Sequence, residues 1–483
     1  MTRPHADPLP DGIVVFVKRD CPTCQMVAPA LGQLGARGAL SVFSQDDPAF
    51  PPGIAVRDDT SLRMSWQYDI ETVPTLLRVE NGIETQRAVG WHRGEWEALT
   101  GVTNLAADLP EWRPGCGSLS VEPEHAAELA VRFGGARLRA RRVELAALED
   151  EIEAMHERGW TDGLPVVPPT ERRVHAMLDG TRRDPQDLVA VVPPDLVPCT
   201  VEKVAINAVL AGCLPEYLPV VLAALEAACT DEFNAHGLLA TTMPAGPVLI
   251  VNGPIRRRIG MNWGKNVFGQ GNRANSTIGR ALQLVIRNVG GGRPGEVDRA
   301  THGNPGKVGF CFAEDEEGSP FTPLSVALGK PAGADTVTLF PGEGPRCVVD
   351  QLSRDPESLA RTFAVTLRTL HHPKLVLAFD CILAIGPEHA RVFREAGWDR
   401  ERLLARLHEL LQIPGAELVR GAGGIAEGIP EHFRDATMPK FRSGGILIVH
   451  CGGGAGLFSA IIGGWAGGQV GSQPVIREIA PWM

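Results

Sequence analysis

Of the ten cysteines, only Cys21 and Cys24 stand close together, directly behind the apolar run Ile13–Val17. A short β-branched run of this kind reads as a buried strand. Arg19 and Asp20 end it, and Cys21-Pro22-Thr23-Cys24 opens an amphipathic helix through Met26, Val27, Ala30 and Leu31. The chain must therefore build a strand, a tight junction and a helix start around two thiols. Exposed amides at a helix start favour the thiolate of Cys21 and make it a nucleophile. The spacing lets Cys24 resolve a mixed disulfide formed on Cys21. The other eight cysteines are scattered, with no second CxxC to complete a zinc ribbon, and they read as small buried hydrophobes in a reducing compartment.

The 483 residues imply two to four domains, and 44% hydrophobic with 22% charged residues marks an ordinary globular chain. The net charge of −10 argues against nucleic-acid and anionic-membrane partners, although Arg256, Arg257 and Arg258 form a local basic patch. The N-terminal stretch MTRPHADPLPDG lacks the apolar core of a signal peptide. Ser443 to Ile476 carries no Asp, Glu, Lys or Arg, yet its glycines favour strand, glycine turn and buried helix over a membrane span. The expected location is cytoplasmic.

Farther along, Thr72-Val73-Pro74-Thr75 precedes a strand at Leu76–Val79 and a turn at Asn81-Gly82. In order and spacing, residues 10–100 resemble the thioredoxin superfamily: the CxxC follows the first core strand, Pro29 stands five residues past Cys24, Val-Pro-Thr follows, and a hairpin ends near Gly90. The resemblance implies a four- or five-stranded mixed sheet flanked by helices and a cis Val73–Pro74 bond. It makes Cys21 the attacking and Cys24 the resolving thiol, with a redox-active disulfide as the cofactor expected and a metal left open. Pro74 would close the site, and the Val73 backbone would pair with an extended substrate. The departures are Asp20 in place of the usual Trp, the inner Pro-Thr pair, and Val15 where thioredoxin proper keeps a buried Asp. They imply slower release by Cys24 and a dedicated partner. A CxxC that binds a soft metal, or one that is an inert remnant, is the competing reading.

The expected fold class is α/β: a thioredoxin-like domain (1–103), a linker with a connecting helix (104–158), and a large α/β domain or two fused lobes (159–483). Asn104 to Pro123 dissolves into Pro and Gly, with Cys116 either a linker thiol without function or a relay from the Cys-Pro-Thr-Cys site. Glu124 to Glu157 reads as one connecting helix. In the body, helices are expected at Val201–Leu210, Leu218–Ala228, Ser276–Val289, Pro356–Leu370 and Arg400–Leu411, and strands at Val248–Val251, Lys307–Phe312, Thr336–Phe340, Leu375–Phe379 and Gly445–Val449. The phrases VLIVNGP, ILAIGP and ILIVHCGGG hint at a diverged internal duplication.

Three stretches of the body carry more polar and glycine punctuation than folding needs. Asn262, Lys265, Asn272, Arg273, Asn275 and Ser276 lie before or at a helix start, where amides and cations make an anion site or simply a capped surface loop. Lys307 starts a strand, and Glu314, Asp315, Glu316 and Glu317 follow its end as a cation or acid–base site or a solvated turn. His450 and Cys451 lead into Gly452, Gly453 and Gly454, whose backbone amides could cradle phosphate or carboxylate beside an acidified, catalytic Cys451, with an apolar helix following from Leu457. No residue is assigned as a metal ligand, and whether the chain binds a metal stays open. The body also resembles an uncharacterised bacterial family in the phrases GWTDGLPVVPPT, TVEKVAINAVLAGCLPEYLPVV, RANSTIGRA and GGGAG with GGW. That resemblance associates it with thiol or selenol redox proteins.

Together these features describe a thiol–disulfide oxidoreductase whose CxxC head exchanges electrons with a fused body acting on a small anionic substrate. A thiol or selenol redox protein is the expected partner, and homo-oligomerisation stays open. The rivals are a lyase or hydrolase of an organosulfur or organometal compound, with the head capturing a soft metal or product, and a binding or scaffold protein with a degenerate head.

Overall fold

The computed structural model describes residues 7–38, 40–134, 138–146, 148–468 and 471–483. The chain divides into two compact units, Met1–Arg137 and Leu138–Met483, each built from mixed helices and sheets.

In the first unit a five-stranded sheet runs in the order Val56–Asp58, Leu40–Ser44, Gly12–Val17, Thr75–Glu80, Ile83–Val89. Gly12–Val17 is parallel to Leu40–Ser44 and antiparallel to Thr75–Glu80. Its central place explains the unbroken apolar run, since Val14, Val15, Phe16 and Val17 are all fully buried. The last two strands join through Asn81 and Gly82, both at positive φ (55° and 73°), the backbone that matches the twist of a two-residue hairpin. Helix Pro22–Gly35 returns the chain to Leu40–Ser44 and buries Val27, Ala30, Leu31 and Leu34.

Residues 104–134 are not a linker. Trp112–Arg113 pairs with Trp91–His92, and Cys116–Gly117 pairs with Thr72–Val73, so this stretch belongs to the first unit. The expected helix Glu124–Glu157 is two shorter helices, Pro123–Phe133 and Glu151–Glu157. Gly134 caps the first, residues 135–137 and 147 lie outside the described residues, and 138–146 have no regular structure.

The second unit is organised by a seven-stranded sheet. Its order is Phe310–Ala313, Gly246–Asn252, Thr336–Val349, Phe458–Ala466, Phe379–Ile385, Ile446–His450, and Val475–Glu478 pairs with the first part of Thr336–Val349. Side chains alternate along these strands. Val248, Ile250, Phe310, Phe312, Phe340, Ile382, Ala384, Leu447, Val449 and Ile462 form one cluster inside the curl of the sheet. Leu249, Val251, Cys311 and Leu339 face outward onto helices Val201–Ala211, Leu218–Ala228 and Arg273–Asn288. Cys381, Leu383, Ile446 and Ile448 face helices Pro356–Arg368 and Arg400–Leu410. The two edge strands touch at their ends, where Asp315 N–H donates to the His450 carbonyl (2.8 Å).

The same topology occurs twice. Gly246–Asn252 pairs in parallel with Phe310–Ala313 and antiparallel with Thr336–Val349. Phe379–Ile385 pairs in parallel with Ile446–His450 and antiparallel with Phe458–Ala466. The strand continuing each half crosses to the other: residues 345–349 pair with Phe458–Ala466, and Val475–Glu478 pairs with residues 336–339. VLIVNGP and ILAIGP are therefore equivalent strands, while ILIVHCGGG matches Phe310–Ala313 rather than a third copy.

Two strands are displaced from their expected places: Phe310–Ala313 starts three residues later than Lys307, and Phe379–Ile385 replaces Leu375–Phe379, because Leu377 sits in a turn with φ of 60°. After Gly456 there is no helix; Phe458–Ala466 is a strand paired on both sides. Its Gly463 and Gly464 disfavour a helix. A Cβ on Gly463 would also stand 2.8 Å from the His371 ring. Among the described residues no helix is long and apolar enough to cross a membrane.

Ile382 is fully buried at the centre of the inner cluster, whereas Val365 on helix Pro356–Arg368 is 68% exposed. Ile382→Ala is expected to destabilise this unit by about 2–5 kcal/mol, and Val365→Ala to change it by less than about 0.5 kcal/mol. Chemical denaturation of the two variants checks the pair.

Candidate functional site

Cys21 is the N-cap of helix Pro22–Gly35, in extended backbone, and its sulfur accepts from the Cys24 N–H at 3.3 Å. Pro22 fills the first helical turn, where a missing N–H costs nothing. The Val73–Pro74 peptide is cis, as the segment leads one to expect, and the Val73 carbonyl oxygen lies 3.5 Å from the Cys21 sulfur. The Cys21 thiol is lowered to about 5, chiefly by the hydrogen bond from the Cys24 thiol; burial opposes this, and a second thiol, Cys116, adds to it. Burial pushes the Cys24 thiol far above its ordinary range, and donating to Cys21 pushes it further. The pair is polarised, with Cys21 the acidic thiol and Cys24 the one that keeps its proton.

Cys116 is the residue that changes the picture. Its sulfur stands 2.8 Å from that of Cys21. The strand Cys116–Gly117 lies antiparallel to Thr72–Val73, with Val73 opposite Cys116. The segment is stitched down along its length: the Thr23 hydroxyl donates to the Pro114 carbonyl (2.7 Å), Ser118 N–H to the Glu71 carbonyl (3.0 Å), and the Gln45 amide to the Ser118 hydroxyl (2.6 Å). Gly115 allows the close approach, since a Cβ there would stand 2.4 Å from Thr72 Cγ2 and 2.7 Å from the Val73 carbonyl oxygen. Cys21 and Cys24 are both fully buried, while Cys116 is half-buried. One expectation is corrected. The Val73 edge is not open to an extended substrate, because residues 116–117 already pair with it. The signal in the sequence was a cysteine bracketed by glycines behind a proline.

In the second unit, the C-terminal ends of the parallel strands bring the polar stretches together. Gly452 N–H donates to the Trp263 carbonyl (2.9 Å), and a Cβ on Gly453 would stand 2.9 Å from Lys265 Cγ. Among the described residues the N–H groups of Gly453 and Gly454 have no acceptor, and exposed Lys265 has no ion-pair partner. The neighbouring amides are occupied by folding. Asn275 accepts from Asn262 N–H (3.0 Å) and donates to its carbonyl (2.8 Å). Asn272 caps helix Arg273–Asn288 by accepting from Asn275 N–H (3.0 Å). Ser276 is exposed in the first turn of that helix.

Several expected site residues are elsewhere or differently disposed. Arg273 donates to the Gly212 carbonyl (2.9 Å). Lys307 lies before its strand, at the end opposite Gly452, and pairs with Asp298 (2.7 Å). Cys451 is buried in the inner cluster, and burial raises its thiol well above the ordinary value, so it is not an acidified nucleophile. His450 is buried as well, bonded to the Ile385 carbonyl (2.9 Å).

Arg256 and Arg257 of the basic patch pair with Glu316 and Glu317, and Arg258 pairs with Asp335; Arg257, Arg258 and Glu317 remain exposed. Arg256 is 1% exposed and pairs with Glu316 (3.1 Å) and Glu317 (3.0 Å). Glu314 is fully buried; one oxygen accepts from Asn252 (2.7 Å) and from Leu324 N–H (2.8 Å), and burial raises its pKa against the pull of Arg400. Asn252 and Arg400 gave no signal in the sequence, being single polar residues in ordinary strand and helix contexts. A cavity of about 810 Å³, lined by Leu145, Met155, Trp160, Ile206 and Leu210 among others, was also not foreseen. Among the described residues no group of three or more His, Cys, Asp or Glu side chains is disposed to hold a metal ion.

If residues 112–118 cover Cys21, lifting them must uncover it. Gly115→Val is expected to raise the rate of Cys21 alkylation by iodoacetamide at neutral pH at least about tenfold, because the gain in access to the buried sulfur outweighs the thiolate lost with the Cys116 hydrogen bond, Cys24 still donating. Peptide mass spectrometry of timed samples reads the rate; unchanged labelling contradicts the cover. Comparison with protein-family models, with curated proteins and with solved structures finds no match. What the chain does is read from its own geometry.

Proposed function

We propose that the chain is a thiol–disulfide oxidoreductase of the thioredoxin type, acting with its second unit on a small anionic substrate. The observation that carries this reading is the polarised pair at the helix start: a low-pKa Cys21 receiving hydrogen bonds, and a protonated Cys24 beside it. In the reductive direction, the Cys21 thiolate attacks a substrate sulfur, a mixed disulfide forms, and the leaving thiolate takes a proton from solvent. Cys24 then gives up its proton and attacks Cys21, which releases the second substrate thiol and leaves a Cys21–Cys24 disulfide. A dithiol or selenol protein supplies the two electrons that reopen it. The buried Val15 offers no carboxylate to take the Cys24 proton, so resolution is the slow step.

The occupied Val73 edge favours a small substrate over an extended polypeptide. For the second unit, the free amides of Gly453 and Gly454 beside unpaired Lys265 support an anion cradle. Fusing the two functions makes electron delivery intramolecular, at an effective concentration on the order of millimolar. A reducing cytoplasmic setting suits the free thiols.

Titration of the purified protein in a dithiothreitol redox buffer should show one reversible two-electron couple. Cys21→Ser should abolish it along with reduction of an aromatic disulfide such as Ellman's reagent. A wild-type protein that shows no couple removes the redox reading. Independently, inorganic phosphate should raise the melting temperature of the second unit. The rise should shrink with added sodium chloride, and Lys265→Ala should lose it. Equal shifts in Lys265→Ala and wild type would leave the glycine turn without a ligand role.

A further inference from the structure

We propose that Cys116 is a second resolving thiol for Cys21, so that the first unit holds one disulfide in either of two positions, Cys21–Cys24 or Cys21–Cys116. The inference rests on Cys21 being the attacking thiol. It adds that residues 112–118 occupy the site as a built-in substrate. Three independent observations converge on it. The Cys116 sulfur is 2.8 Å from that of Cys21, and Cys116 is only half-buried while Cys21 and Cys24 are fully buried. Cys116 pairs in antiparallel register with Val73, the residue before the cis proline, where an extended substrate was expected to lie. The approach is held by specific contacts, with Thr23 of the Cys-Pro-Thr-Cys loop itself donating to Pro114 (2.7 Å) and Gly115 admitting the Val73 backbone.

The exchange balances without an outside oxidant. Starting from the Cys21–Cys24 disulfide, Cys116 loses its proton and attacks the Cys21 sulfur. The Cys21–Cys116 bond forms, the Cys21–Cys24 bond breaks, and Cys24 takes up the proton that Cys116 gave up. No electrons are gained or lost. An external thiol can then attack the half-exposed Cys116 sulfur and expel Cys21, whose low pKa makes it the better leaving group. Cys116 thus serves as the port through which a buried dithiol communicates with the outside.

The test uses the full-length chain as wild type, Cys24→Ser, Cys116→Ser and the double variant Cys24→Ser/Cys116→Ser. Each is reacted with Ellman's reagent, quenched in acid at timed intervals, and mapped by peptide mass spectrometry for the aromatic adduct and for internal disulfides. Cys24→Ser should shed the adduct and accumulate a Cys21–Cys116 disulfide, at least about tenfold faster than the double variant, whose Cys21 adduct has no neighbouring thiol to resolve it. Cys116→Ser should still resolve through Cys24, which shows that the site is folded. If Cys24→Ser holds its adduct as long as the double variant while wild type sheds it, Cys116 does not resolve and the inference fails with the dithiol reading intact. If Cys21 takes no adduct in any variant, the dithiol reading fails and takes this inference with it.

Discussion

A buried sulfur that carries charge must be held by donors, and the first unit is arranged around that requirement. Burial alone raises a thiol's pKa. At Cys21 the cost is offset by the Cys24 thiol, the Cys116 thiol and the Cys24 N–H at the start of a fourteen-residue helix. Each donor comes from a different feature of the chain: the CxxC spacing, the N-cap position of Cys21, and a strand that returns from residue 116 to pair with Val73. The cover that hides Cys21 from solvent also supplies one of the hydrogen bonds that keep it ionised. Protection and activation are one arrangement here, and lifting the cover would change both.

The second unit solves a different problem. Its sheet curls until Phe310–Ala313 and Ile446–His450 meet at their ends, which brings the ends of the two parallel strand pairs together. The twofold repetition of strand order explains why this end is rich in turns that start with glycine. Several of its polar groups are internal: Arg256 pairs with Glu316, Asn252 donates to Glu314, and Arg256 and Arg400 donate to backbone carbonyls, while one buried oxygen each of Glu314 and Asn252 has no hydrogen-bond partner. At the Gly452 turn, the N–H groups of Gly453 and Gly454 and the side chain of Lys265 have no partner among the described residues.

How far the sequence could be read depended on whether a feature was local. The strand Gly12–Val17, the helix start at Cys21, the Asn81-Gly82 turn and the helix at Leu218–Ala228 follow from short patterns, and they are where the patterns put them. The Gly452 turn meets the Trp263–Lys265 loop at strand ends, where the loops of α/β folds gather. Nonlocal pairing was not legible. Nothing near Cys116 announces that it pairs with a residue more than forty positions earlier, so a Pro/Gly-rich stretch read as a linker. Glycines 463 and 464 likewise read as turn or helix punctuation, although they sit mid-strand to let His371 and Asp380 come close. The acidic run at 314–317 looked solvated because its partners, Arg256 and Arg400, are about sixty to eighty residues away.

The central claim is that Cys21 is a buried thiolate stabilised jointly by Cys24 and Cys116. Its most direct test is the ¹³Cβ chemical shift of Cys21, followed against pH in the reduced protein and in Cys24→Ala and Cys116→Ala. Because the pKa is lowered, the thiolate should persist at neutral pH and protonate only as pH falls through about 5. The midpoint should move upward in both variants, and further in Cys24→Ala, whose lost hydrogen bond is the larger of the two. A Cys21 signal that titrates in the ordinary thiol range, about 8.5, or that ignores the loss of Cys116, would contradict the account.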